Sequence, residues 1–348
     1  MISTILVPST IKELAELSRL FFAWHACERI NASCQDHFKL RTNLQPRLLL
    51  TFPSPQDEKI ARYVKNLFVI YALDEIFSGV DISFLAINPA DDIYIKSIPF
   101  GSRIPLLKLI KPLPQFGLKS GPNLQFFESI KLCDTSGLTL LNETDMLPIV
   151  PNWIEICNEA IPSGVDFLVA GATYLGNQDL PARIAMHLNG NALYNTSSQY
   201  FMEEYLPLWR QSLANMCKYK LNAAYDIWLD LAISHSSEHR DRDRLAKKYL
   251  WLKNQPPLED LIKFKSKMII IPEIYNLGAP IDALSQDQIT RLSEEPTPKV
   301  LIHSRASFPG ILSYLLLHSR GILPGSSLDA LAASIDGIKG FESTLAIL

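Results

Sequence analysis

Two carboxylates one residue apart, Glu143 and Asp145, follow directly on the apolar run Leu138 to Leu141 in the stretch GLTLLNETDMLPIVPNW, Gly137 to Trp153. Side chains along a strand repeat every second residue, so a short buried strand over 138–141 presents both carboxylates on the same side at its carboxyl end. That is a place to hold a cation. In open α/β sheets, ligands bind in the crevice outside the carboxyl ends of the strands, where a cation would meet an incoming charged ligand.

Four further positions carry chemistry, each with a plainer structural reading beside it. In LKSGPNLQFFESIKLC, Pro122 fits the first turn of a helix and Gly121 precedes it. A free helix amino terminus there suits an anion, with Lys119 beside it; the plainer reading is a capped helix and a surface lysine. In Arg183 to Asn195 (RIAMHLNGNALYN), the polar residues His187, Asn189 and Asn191 surround Gly190. A glycine inside a strand pattern marks a bulge or the close approach of a ligand to the backbone, and the alternative is a hairpin turn. Asp226, flanked by Tyr225 and Trp228, is either a helix-end residue on the solvent side or a carboxylate whose pKa is raised to suit a general base. His303 ends the apolar run Lys299 to His303, before Ser304 and Arg305, and is either structural or a metal ligand.

The elements that must position these residues follow from hydrophobic patterning. Ile2 to Val7 reads as a strand, stopped by Pro8, with Ser9 and Thr10 supplying a helix N-cap before the apolar face of a helix from Ile11 to about Asn31. Arg47 to Phe52 is a second strand, Pro55 to Leu73 a second helix and Asp81 to Ile87 a third strand. Strand and helix alternating at these lengths implies a parallel sheet with crossover helices. Prolines at 99, 105, 112 and 114 make 99–119 an irregular connection. Beyond the acidic pair, helices are expected over Asn152–Ala160, Ser198–Tyr219 and Asn222–Ile233, and strands over Asp166–Tyr174, Met268–Pro272 and Lys299–His303. The tail, 311–348, reads as helical with breaks at Pro324 and Gly325.

Composition removes several classes. With 33 basic against 36 acidic residues the net charge is -3, and the one dense charge run, Glu238 to Lys248, mixes both signs, so no nucleic-acid surface is expected. The five cysteines form no CxxC pair, which argues against a zinc site and for a reducing compartment. No apolar stretch approaches the ~18 residues that span a bilayer, and the first residues lack a basic start, so a cytoplasmic protein without a transmembrane segment is expected. No GxSxG occurs. A glycoside hydrolase needs two carboxylates facing each other across roughly 5–10 Å, whereas Glu143 and Asp145 point side by side.

With these pieces in order, the chain resembles the nucleotide-diphospho-sugar transferases of bacterial and cyanobacterial type, the glycosyltransferases of GT-A fold. The likeness is carried by KSGPNLQFF (Lys119 to Phe127), ETDMLPIVPNW (Glu143 to Trp153), HLNGNALYN (His187 to Asn195) and AAYDIWL (Ala223 to Leu229), spread over about Ile2 to His303. It implies an α/β fold: a Rossmann-like, mostly parallel central sheet flanked by helices, with a short antiparallel element and a helical C-terminal part. The expected organisation is a single domain, 1–348, with a nucleotide-binding half at 1–145, an acceptor and catalytic half at 146–310 and the helical tail.

What the resemblance implies for the site can be set against chemistry. The acidic motif would coordinate a divalent cation, Mn2+ or Mg2+, bridging the diphosphate of a sugar nucleotide, since hard oxygen ligands suit those ions and the charge developing on the diphosphate needs neutralising. Asp145 would be a ligand, Glu143 a second ligand or a ribose contact, and His303 would complete the metal site. Lys119, Gly121 and Asn123 would face diphosphate or sugar, and Pro8, Ser9 and Thr10 would border the base. His187, Asn189, Gly190 and Asn191 would line the sugar or acceptor pocket. Asp226 would be the catalytic base of an inverting transfer, or orient substrate in a retaining one. The expected function is sugar transfer from a UDP- or GDP-sugar to a glycan or other hydroxyl acceptor. The alternative is a non-catalytic GT-A-like domain that binds nucleotide or glycan, for which Glu-Thr-Asp in place of the commoner Asp-x-Asp is the main support.

Overall fold

The computed structural model of the chain describes residues 1–30, 45–94, 114–175, 187–218, 223–229, 265–277, 284–297, 299–304 and 306–318. Most of the proline-rich connection, the mixed charge run 238–248 and the tail beyond 318 lie outside the described residues.

The expected alternation is present in β1 (Ile2–Pro8), α1 (Leu14–Glu28), β2 (Arg47–Phe52), α2 (Glu58–Ile70) and β3 (Val80–Phe84). After α3 (Ser120–Ile130) come β4 (Leu138–Leu141), β5 (Met146–Pro148), α4 (Trp153–Glu159), β6 (Val169–Leu175), β7 (Leu188–Tyr194) and α5 (Leu206–Lys218). The last described elements are β8 (Met268–Ile270), β9 (Ile274–Leu277), α6 (Gln286–Glu294), β10 (Leu301–His303) and α7 (Phe308–His318). Capping accounts for several helix starts. The Glu13 carboxylate accepts from the Thr10 N–H at 2.9 Å and its hydroxyl at 3.0 Å, and the Asp57 side chain accepts from Lys59 N and Ile60 N.

The strands form one sheet of ten in the order β3-β2-β1-β4-β7-β6-β9-β10-β5, with β8 also on β6. The sheet is mostly parallel, as expected: β3, β2, β1 and β4 run together, as do β8, β6, β9 and β10. Its antiparallel part is larger than expected, with β7 reversed between β4 and β6 and β5 reversed on β10. The strands β5 and β9 and the helix α6 were not anticipated. At three and four residues the two strands are too short to show a period. For α6 a signal exists, the capping box of Ser285 and Gln288.

Alternation along the central strands sends side chains into two separate cores. Ile5, Val7, Leu48, Leu50 and Leu140 face one, with Trp24 and Trp153 stacked at 5.9 Å. Leu6, Leu49 and Leu141 face the other, centred on Phe126, which stacks flat on Tyr225 at 3.8 Å and packs against Trp209 at 5.1 Å. Burying each large apolar side chain is worth about 1.5–3 kcal/mol, which is what holds helices on both faces. One polar clamp ties the second layer to the strand ends. Gln125 of α3 donates through Nε2 to the Ser9 carbonyl at 3.0 Å and the Thr51 carbonyl at 2.9 Å, just past β1 and within β2.

Replacing Gln125 with Leu keeps the volume but removes the donor that both buried carbonyls share. Urea denaturation is expected to show a loss of about 1–3 kcal/mol, the cost of stranding the buried Ser9 carbonyl, since the Thr51 carbonyl keeps the Ser9 N–H; an unchanged midpoint would show that water takes over the role.

Candidate metal centre and adjoining carboxylate

The carboxyl edge of the sheet is assembled by register. The strand β4 ends at Leu141, and Asn142 closes a tight turn by donating through Nδ2 to the carbonyls of Glu143 and Met146, both at 2.9 Å. Glu143 and Asp145 therefore lie in a fixed turn past the strand end. The antiparallel pairing of β10 with β5 sets His303 opposite Met146, and the Ser304 N–H donates to the Asp145 carbonyl at 3.4 Å. His303 Nε2 consequently lies 3.3 Å from Glu143 Oε2 and 3.3 Å from Asp145 Oδ1.

One ligand atom from each of Glu143, Asp145 and His303 lies within 4.8 Å of the others. Two carboxylate oxygens and an imidazole nitrogen are a donor set for a divalent cation, and three protein donors leave coordination positions for a ligand. His303 Nδ1 is buried without a hydrogen-bond partner among the described residues, so Nε2 is the nitrogen aimed at the carboxylates. Burial favours the neutral imidazole, but the hydrogen bonds and charges of Asp145 and then Glu143 outweigh it and push the His303 pKa up to about 10. In the metal-free protein the imidazolium stands where a cation fits.

A second carboxylate adjoins this group. Asp226 Oδ2 accepts from the Gly190 N–H at 3.2 Å and lies 3.4 Å from His187 Nε2, while Oδ1 accepts from Ile227 N at 2.8 Å. Of the two readings of Asp226, the raised pKa is not the direction found. Burial does act to raise it, but the hydrogen bond and charge of His187, the Ile227 N–H and the nearby Lys119 together lower it. Asp226 is a fixed, ionised carboxylate.

Gly190 explains how it is held. The segment Leu188 to Tyr194 is a strand rather than a hairpin turn. Its pairing with β6 jumps from Gly171↔Ala192 to Thr173↔Leu188, so 189–191 bulge opposite Ala172. The close approach to Gly190 is made by Tyr225: a Cβ there would overlap the Tyr225 hydroxyl and ring. The helical residues 225–229, the described part of the helix expected over Asn222–Ile233, thus dock on bare backbone.

The remaining expected site residues divide into two groups. Asn189 and Asn191 join the metal group, since Asn191 donates to Glu143 Oε2 at 3.1 Å and to Asn189 Oδ1 at 3.0 Å. Ser9, Gly121 and Asn123 have polar groups engaged within the fold. Ser9 N donates to the Thr51 carbonyl, and Asn123 donates through Nδ2 to the Ala223 carbonyl at 3.0 Å. Of the two readings of the α3 start, a free terminus or a capped helix, the contacts at Gly121 favour the second: Gly121 N donates to the Ile93 carbonyl at 3.0 Å, and a Cβ there would meet Asp92. Pro8 closes β1, and Thr10 is half-buried. Two unanticipated residues complete the surroundings. The pKa of Glu13 is raised by burial, against its Thr10 hydrogen bonds, with Glu143 adding to the rise. That of Tyr94 is raised by burial and then by Glu143, Asp226, Glu13 and Tyr174. Glu13 is legible only as a capping residue, and Tyr94 has no sequence signal.

No protein-family model matches the chain, and no curated protein matches it. Among solved structures it is similar to the galactosyltransferase LgtC in complex with donor and acceptor sugar analogues, at 10% identity and a TM-score of 0.43 over 92% of this chain and 98% of that one. It is similar to mouse xyloside xylosyltransferase 1, at 11% identity and 0.42 over 89% and 99%. It is also similar to the glycosyltransferase GlyE of Streptococcus pneumoniae, at 9% identity and 0.41 over 97% and 64%. At such identities the roles of side chains follow from the geometry of this site alone.

Two outcomes are expected from that geometry. Tyr225 is buried and stacked, so it cannot yield to a methyl group at 190, and Gly190→Ala is expected to cost about 1–3 kcal/mol in denaturant unfolding. The folded pKa of His303 lies above its unfolded value of about 6.5. Its stabilisation of the metal-free protein is therefore full below pH 6.5 and lost as pH rises through about 10. Unfolding measured in chelator is expected to weaken over that window, and His303→Gln to remove that part of the slope.

Proposed function

We propose that this chain is a metal-dependent glycosyltransferase that moves a sugar from a nucleoside-diphosphate donor, a UDP- or GDP-sugar, to a hydroxyl of a glycan or other acceptor. The observation that carries the reading is the convergence of Glu143, Asp145 and His303 outside the strand ends, beside a separately held carboxylate. Glu143, Asp145 and His303 would hold Mn2+ or Mg2+. When bound, the ion would neutralise charge on the departing diphosphate.

The chain's own residues do the rest. Asp226, ionised and held by backbone N–H groups and His187, accepts a hydrogen bond from a sugar or acceptor hydroxyl and so orients it. Its lowered pKa makes it a weak base in the ground state, able to take the hydroxyl proton only as the oxygen becomes acidic in forming its new bond. Lys119 adds positive charge to the same neighbourhood and suits a phosphate oxygen. Thr10 borders the base, and Asn189 faces the sugar.

The test is Asp145→Ala. Calorimetric titration with UDP and GDP is expected to give binding that tightens with Mn2+ in the wild type and loses that dependence in the variant. The loss should exceed roughly 100-fold, because even groups outside the ligand set are worth ~10–100-fold in metal affinity. Binding indifferent to both Mn2+ and the substitution would sink the proposal. Donor turnover that survives Asp226→Asn would remove Asp226 from the chemistry, while no turnover in the wild type across UDP- and GDP-sugars would favour the non-catalytic alternative.

A further inference from the structure

Asn191 is well formed for work on the protein itself. It is fully buried, on a strand buried along all seven residues. Its carboxamide has two N–H donors and one carbonyl oxygen. Both donors are directed within the protein, to Glu143 Oε2 at 3.1 Å and Asn189 Oδ1 at 3.0 Å, and the oxygen accepts from the Glu143 N–H at 2.8 Å. Its backbone N–H donates to Asn189 Oδ1 at 2.9 Å. A side chain so enclosed has no donor left for a sugar hydroxyl.

Its place in the sheet explains the arrangement. Backbone pairing of β4 with β7 runs through Thr139↔Tyr194 and Leu140↔Leu193 and goes no further. β4 ends at Leu141 and β7 bulges against β6 at 189–191, so the Glu143 N–H lies two residues past the strand and outside the β4–β7 ladder. The Asn191 oxygen takes that N–H instead, extending the ladder with a side chain. The same amide then reaches the Glu143 carboxylate. Glu143 Oε2 is held from one side by Asn191 and lies 3.3 Å from His303 Nε2 on the other. This matters because the Glu143 side chain is 44% exposed against 26% for Asp145, and a free glutamate side chain costs up to about 2 kcal/mol of rotamer entropy to fix.

We propose that Asn191 is a positioning residue that fixes the backbone and carboxylate of Glu143 so that Glu143 serves as a metal ligand, with Asn189 bracing the amide from behind. The inference rests on the metal-dependent reading of the Glu143, Asp145 and His303 group. It assigns Asn191 to the metal rather than to the sugar.

A double-mutant cycle read by Mn2+ binding, with nucleotide-free protein and electron paramagnetic resonance of the free ion, tests it. Asn191→Ser is expected to weaken Mn2+ binding ~10–100-fold in the wild-type background, and to leave it unchanged in Glu143→Ala, where Asp145 and His303 remain. Asn191→Leu, which keeps the volume, is run beside it in case the serine variant does not fold, with thermal melting of each metal-free protein as the control. An equal loss in both backgrounds would mean that Asn191 only supports the fold and would overturn the inference. So would wild-type Mn2+ affinity in both Asn191 variants. Failure of the wild type itself to bind Mn2+ would bring down the metal reading and this assignment together, which separates that failure from one confined to Asn191.

Discussion

Carboxylates gathered at one sheet edge repel one another and resist burial, and the way each is compensated organises the rest of this structure. Glu143 and Asp145 share the His303 imidazole. Asp226 is compensated by backbone N–H groups, His187 and the field of Lys119. Glu13 is satisfied by Thr10. The first two solutions recruit distant segments, β10 for the acidic pair and His187 with β7 for Asp226, while Glu13 is served locally by Thr10. An opposite charge or a donor within hydrogen-bond reach is what keeps a buried carboxylate ionised. At Asp226 these partners outweigh burial, whereas at Glu13 burial outweighs the Thr10 hydrogen bonds.

The compensation depends on packing behind it. Tyr225, next to Asp226, lies flat on Phe126 of α3 and against the bare backbone of Gly190. This aromatic stack thereby sets the position of the Asp226 carboxylate against β7. The Gln125 clamp, on the same helix, secures the ends of β1 and β2.

Much of this is legible in the sequence, and the reasons for the exceptions are local. The limits of β4 are read correctly because three leucines around Thr139 end at a polar turn. The acidic pair and His303 are each visible as strand-end residues, but their meeting depends on β5, a three-residue strand with no period to detect. The bulge at Gly190 follows from a glycine among polar residues, while the partner that fills the gap, Tyr225, is distant in sequence and could not be read from spacing. The pKa direction of Asp226 is not decided in the sequence for the same reason: its aromatic neighbours are close in sequence, and His187 is not. Whether the terminus of α3 is open or capped stays undecided in the sequence because Ile93, whose carbonyl accepts from Gly121, follows an unrelated strand.

The register of β10 on β5 also bears on how the molecule comes to be made. During synthesis the turn holding Glu143 and Asp145 emerges long before residue 303, and domains fold as their chain is delivered. Until β10 arrives the acidic pair lacks its histidine, and β5 lacks the strand it pairs with. The candidate ion site is therefore a late product of assembly, and a chain halted before residue 301 would carry both carboxylates without the histidine.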